Sequence, residues 1–291
     1  MELLIYTCLW GRPEITKLFM AGVDRLVSAA PANIKITKFA TVSEDWAANT
    51  CVDNGWEYLK HDNFPLGKKW NAGLNDAINR FNFGHVLILG SDDIVSSEMW
   101  QVYETAIKQK LPFFGVSSMY AYSPKHELAC KFEYQIPYKP IGAGCFIAKS
   151  VMQSAGYMRE VELKKDIRID TKPYFKGERY YFPANKAAVM SALGQVDLVG
   201  RREMRLWGNQ LNKGLDGHRD SMILHHTGTV PFIIKTEKPI ITDVKSPQNV
   251  WSYQAISHTE SAEPVEIADA ISFFGDRELA ILEEIKAGYV Q

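Results

Sequence analysis

Over its first 93 residues the chain switches back and forth between two hydrophobic rhythms. "LLIYTCLW" (3–10) is a continuous apolar run of strand length, followed by "RPEITKLFMAGVDRLVSAA" (12–30), where Ile15, Leu18, Phe19, Val23 and Leu26 recur at helical spacing behind Pro13. "NIKITKFATVS" (33–43) reads as a second strand, and "EDWAANTCVDNG" (44–55) as a short helix closed by Gly55. "WEYLKHD" (56–62), "LGKKWNAGLNDAINRF" (66–81) and "HVLILGSDD" (85–93) follow as strand, helix and strand. Such alternation predicts an α/β fold: a mostly parallel, Rossmann-like sheet flanked by helices. In open sheets of this kind ligands bind beyond the carboxyl ends of the strands. Thr7, then Ser43, Glu44 and Asp45, then Ser91, Asp92 and Asp93 stand at three such ends.

The rest of the chain is less regular. A helix is expected over 96–109 with a capping Ser96 or Ser97, strands over 112–123 and 127–136, and a glycine turn, strand and helix over 140–158. Residues 159–220 are polar and loop-rich, with a helix expected near 201–213, and 263–288 reads as an amphipathic helical stretch. This divides the 291 residues into a ligand-binding half (1–95), a second half of the same domain (96–245) and a C-terminal helical extension (246–291).

Composition narrows the function classes. Hydrophobic residues make up 46% and charged ones 23%, an ordinary globular balance. The net charge of −1 gives no global field toward nucleic acid or anionic membrane. Cys8, Cys51, Cys130 and Cys145 form no CxxC pair, which argues against a zinc ribbon or redox motif and suggests a reducing, cytoplasmic setting. The N-terminal apolar run lacks a basic flank and reads as a strand rather than a signal peptide. No run approaches the ~20 residues of a membrane span, so no transmembrane segment is expected.

Two carboxylates at a strand end suit a hard divalent cation, Mn2+ or Mg2+, which takes oxygen ligands and shares them with substrate phosphates. Helix capping or a solvated turn are the plainer readings of Asp92 and Asp93. The surrounding stretch "KKWNAGLNDAINRFNFGHVLILGSDD" (68–93) adds context. It resembles the nucleotide-sugar half of GT-A glycosyltransferases, above all the large family that includes chitin and cellulose synthases. There a basic residue followed by Asn-x-Gly-Leu, a helix, a strand and an Asp-x-Asp motif occur in that order. Lys69 stands at the basic position, Asn71, Gly73 and Leu74 match, and "GSD" stands where Asp-x-Asp is expected. Gly90 replaces the first acid, which puts the family's ribose contact in doubt.

The resemblance implies a GT-A-like fold with a nucleotide-sugar donor, UDP first, and an irregular acceptor-side half. It assigns donor contacts to Thr7, Arg12, Glu44, Asp45, Lys69, Asn71 and Ser91, with Arg12 near the base, and metal ligation to Asp92 with Asp93 beside it. It places Gly142 and Gly144 against the donor sugar, and Asp216, in "NKGLDGHRD", as the base for an inverting transfer to a hydroxyl. In the region of a late metal ligand it offers Asp243, with Lys245 for phosphate; His225 and His226 compete for that role. Plain turn and cap readings stand beside each assignment. Residues 159–219 carry thirteen Lys and Arg against eight Asp and Glu, interleaved with aromatics such as Tyr180, Tyr181 and Trp207. This mixture suits a carbohydrate acceptor, a phosphorylated acceptor, or modified DNA as in phage base glycosylation. A nucleotidyltransferase, a non-catalytic nucleotide-sugar- or glycan-binding module and a nucleic-acid-binding protein are the rival classes.

Overall fold

The computed structural model describes residues 1–63, 66–134, 139–154, 174–176, 179–181, 223–224, 227–247 and 253–290. The predicted alternation is present. Strand β1 (Glu2–Leu9) leads to helix α1 (Pro13–Ser28), β2 (Lys35–Val42) to α2 (Asp45–Asp53), β3 (Glu57–Lys60) to α3 (Leu66–Arg80), and α3 to β4 (His85–Ile88). After β4 come β5 (Asp93–Val95), α4 (Met99–Lys108), β6 (Phe113–Val116), β7 (Ser118–Ser123), β8 (Leu128–Glu133), β9 (Cys145–Ala148) and α5 (Lys149–Ser154). A hairpin, β10 (Tyr174–Lys176) and β11 (Arg179–Tyr181), precedes β12 (Phe232–Ile234) and β13 (Ile241–Val244). The chain then forms α6 (Tyr253–Ser257), β14 (Ala262–Val265), α7 (Ile267–Ala270) and α8 (Asp276–Val290).

Seven strands form the main sheet in the order β12-β6-β9-β4-β1-β2-β3. All neighbours are parallel except at β9, which runs against both β4 and β6. Both faces are covered, so β1 is apolar along nearly its whole length instead of alternating. Leu3, Ile5 and Leu9 join the core under α1 with Leu18, Phe19 and Val23. Leu4, Tyr6 and Cys8 join a second core under α3 with Trp70, Leu74 and Ala77. The helix packs closely there. A Cβ on Gly73 would collide with Thr41 Oγ1 and the Tyr6 hydroxyl, so one glycine of the motif has a packing reason of its own.

A second sheet of five strands runs β14-β8-β7-β13-β5. It changes three expectations. The run 85–93 is two strands: β4 ends at Ile88, the chain turns through Gly90–Asp92, and β5 opens the second sheet at Asp93. The run 112–123 also divides, with β6 in the main sheet and β7 in the second, so the step at Ser117 carries the chain between sheets. The stretch 263–288 is helical only in part. Ala262–Val265 is edge strand β14 on β8, where Pro264 is tolerated because an edge needs no donor on its outer side. Helix α4 also starts later than expected, at Met99, after a turn in which Ser96 Oγ accepts the Glu98 N–H at 3.2 Å.

Candidate active site

The two sheets meet at the turn after β4. Asp92 lies in the turn, Asp93 opens β5, and the antiparallel register of β5 with β13 sets Asp243 directly opposite Asp93. The Val244 N–H closes the junction on the Asp92 carbonyl at 2.9 Å. Carboxylate oxygens of Asp92, Asp93 and Asp243 consequently lie within 4.8 Å of one another. Sequence spacing brings the first two together, and strand pairing across about 150 residues of chain supplies the third.

Gly90 is the hinge of this geometry. Its N–H donates to Asp93 Oδ2 at 2.5 Å, and an added Cβ would stand 2.7 Å from Asp92 Oδ1 and 2.9 Å from Asp93 Oδ2. The two carboxylates fold back over the position that carries the first acid in the Asp-x-Asp pattern. An acid there would collide with them.

Two cationic side chains enter the cluster. Arg12, the N-cap residue of α1, donates from Nη1 to Asp92 Oδ2 at 2.8 Å and from Nη2 to Ser91 Oγ at 2.7 Å. Lys245 donates to Asp243 Oδ2, and its own N–H is held by the Tyr122 carbonyl at 2.7 Å. Asp243 Oδ1 is buried without a hydrogen-bond partner among the described residues. Among the described residues three carboxyl groups thus meet two cationic side chains in a nearly dry corner, and the electrostatics follow. Burial alone would raise Asp92, but the charges of Arg12 and Lys245, with the Arg12 hydrogen bond, hold it below the ordinary carboxylate value. Burial, then the charges of Asp243 and Asp92, push Asp93 well above it. Burial lifts Asp243 to about 7 against the pull of Lys245, with Asp92 adding to the rise. Among the described residues the cluster fits a small, hard cation by donor type, by spacing and by the unused oxygen of Asp243.

The other expected residues lie around this corner in varied settings. Lys69 is fully buried, and its ammonium donates to the Leu9 carbonyl at 2.6 Å and to Asn63 Oδ1 at 3.1 Å; burial lowers its pKa. Thr7 is buried in β1 and Asn71 in α3, and among the described residues Thr7 Oγ1 and Asn71 Oδ1 have no partner. Glu44 accepts the Gly11 N–H at 2.7 Å, tying the start of α2 to the loop after β1. Asp45 is exposed and paired with Lys60 at 2.7 Å. Gly144 adopts φ +73°, and a Cβ there would collide with Ile241 Cδ1, so it lets β9 pass close to β13. Gly142, two residues earlier, is half-buried. Asp216, His225 and His226 lie outside the described residues. The sequence carries no signal for Tyr122 as the anchor of Lys245, because its contribution is a backbone carbonyl.

No family model matches the sequence, and no curated protein matches it. Solved structures similar to it include crystal structures of S. aureus TarS. TarS 1-349 is 11% identical with a TM-score of 0.39, over 57% of this chain and 52% of that one. TarS 1-349 in complex with UDP-GlcNAc is 10% identical with a TM-score of 0.48, over 100% of this chain and 72% of that one. The complex with UDP gives 10% and 0.46, over 100% and 71%. This chain thus spans about half the length of the first of these structures and under three quarters of the other two. Nothing about activity follows from likeness at this level.

Proposed function

We propose that this chain is a metal-dependent glycosyltransferase that moves a sugar from a nucleoside diphosphate, UDP first, to a hydroxyl of an acceptor carbohydrate. The observation that carries the reading is the trio Asp92, Asp93 and Asp243 gathered beside the carboxyl end of β4, with Asp243 Oδ1 lacking a hydrogen-bond partner among the described residues. Those three would hold Mn2+ or Mg2+, which when bound neutralises negative charge on a diphosphate leaving group. Arg12 and Lys245 supply positive charge where the diphosphate departs, and a corner with little bulk water strengthens both. Asp216 is our base, taking the proton of the acceptor hydroxyl from the face opposite the leaving group, with inversion. A diphosphate so neutralised leaves without a general acid.

The test is turnover of a panel of UDP-sugars that includes UDP-GlcNAc, with Mn2+, against simple sugar acceptors. Release of UDP that is lost in Asp92→Asn and in EDTA supports the reading. Release of pyrophosphate from nucleotide triphosphates would instead mark a nucleotidyltransferase, and binding without turnover a non-catalytic module.

A further inference from the structure

Both cations of the cluster are already engaged by carboxylates that a metal would need. Arg12 occupies Oδ2 of Asp92 and Lys245 occupies Oδ2 of Asp243, and both pairs are largely shielded from solvent. A divalent ion arriving among the same oxygens would bring like charge against a guanidinium and an ammonium in a site with little water to screen them. Those cations can give way only if another anion receives them. A guanidinium is a planar fork of donors that fits phosphate as well as carboxylate, and Arg12 also holds Ser91, the spacer residue of the motif. The side chain leaves from the N-cap of α1, beside Gly11, whose Cβ position is open space. Arg12 thus sits at a helix start rather than inside the sheet, on the side of the strand ends where a ligand would lie.

We propose that Arg12 and Lys245 are exchangeable counter-ions: without donor they occupy Asp92 and Asp243 against the metal, and they pass to the diphosphate when donor and metal bind together. This rests on the glycosyl-transfer reading above and adds a linkage to it. Metal and nucleoside diphosphate each strengthen the other's binding, by the same factor in both directions. Arg12 then has opposite effects on the two ligands.

Calorimetric titration of the full chain tests this, with Mn2+ alone, UDP alone and Mn2+ at saturating UDP, for the parent, Arg12→Gln and Lys245→Gln. In the parent, Mn2+ binds on the order of tenfold more tightly when UDP is present. In Arg12→Gln, Mn2+ alone binds more tightly than in the parent, UDP binds more weakly, and the coupling shrinks toward onefold. Lys245→Gln shows the same pattern and reports independently if one variant folds poorly. Arg12→Lys restores part of the coupling. Unchanged or weaker Mn2+ binding in both Gln variants, with parent coupling intact, overturns the exchange while leaving the glycosyl-transfer reading in place. A parent that binds neither Mn2+ nor UDP overturns both.

Discussion

Asp93 and Asp243 are carboxyls held above their ordinary range by burial first, with Asp243 and Asp92 adding to the rise of Asp93 and Asp92 to that of Asp243, and this gives the protein a pH dependence of definite sign. An unfolded aspartate releases its proton near ~4, whereas Asp243 does so at about 7 in the folded chain. Between those values the folded state binds more protons than the unfolded one, so these two groups make stability fall as pH rises through the window. A divalent cation replaces the lost protons, so its stabilising effect grows in the same direction. Thermal melts in EDTA and in Mn2+ should separate more at about pH 8 than at about pH 5.5, and Asp243→Asn should reduce the separation. Equal separation at both pH values would mean that the ion binds elsewhere. Gly90 gives a second residue-scale outcome. Gly90→Ala forces the tips of Asp92 and Asp93 aside, and both are ends of flexible side chains, so the fold survives. Mn2+ affinity should fall on the order of tenfold, as for other groups that orient ligands.

Among the elements, α8 has more influence on the site than its distance in sequence suggests. Its Glu278 is buried on Arg25 of α1 at 2.5 Å, and Arg25 in turn donates to the Val95 carbonyl of β5 at 3.0 Å and to Ser97 Oγ at 2.9 Å. Strand β5 begins with Asp93, so the ion pair ties the C-terminal helix to the strand that presents a carboxylate. Leu282 and Ile285 bury the same helix against the main core. Glu278→Ala leaves the Arg25 guanidinium without its carboxylate, at a cost of about 3 kcal/mol. Urea unfolding checks this; a loss under about 1 kcal/mol would show that α8 is held by its apolar face alone.

At the scale of the whole molecule, two sheets meet at one charged corner, and that arrangement divides what the sequence reveals from what it hides. The β1 to β4 alternation declares itself through local periodicity, which is enough to put Asn71 on a helix and Asp92 just past a strand end, whereas Thr7, expected after the first strand, lies buried inside β1, which runs on to Leu9. The sheet change at Ser117 leaves no local trace, since both strands it joins are buried and apolar. Pro264 marks an extended segment inside a helical pattern, but only the partner strand β8 explains why it is a strand. Asp243 is legible as a candidate, but its pairing with Asp93 depends on register between segments far apart in the chain. Arg12 is expected near a nucleotide base, whereas its ion pair with Asp92 arises only from the packing of α1 against the β4 turn. Among the described residues no helix is long and apolar enough to cross a membrane, and the four cysteines are buried thiols outside any disulfide.

The central claim is that the corner made by β4, β5 and β13 holds a divalent cation for a nucleoside diphosphate. Diffraction at the manganese edge from crystals grown with Mn2+ and UDP measures this directly. The account predicts one strong anomalous peak in bonding range of Asp92, Asp93 and Asp243, with the diphosphate on its open side and Arg12 turned toward it. UDP bound with no manganese between those three carboxylates would contradict it.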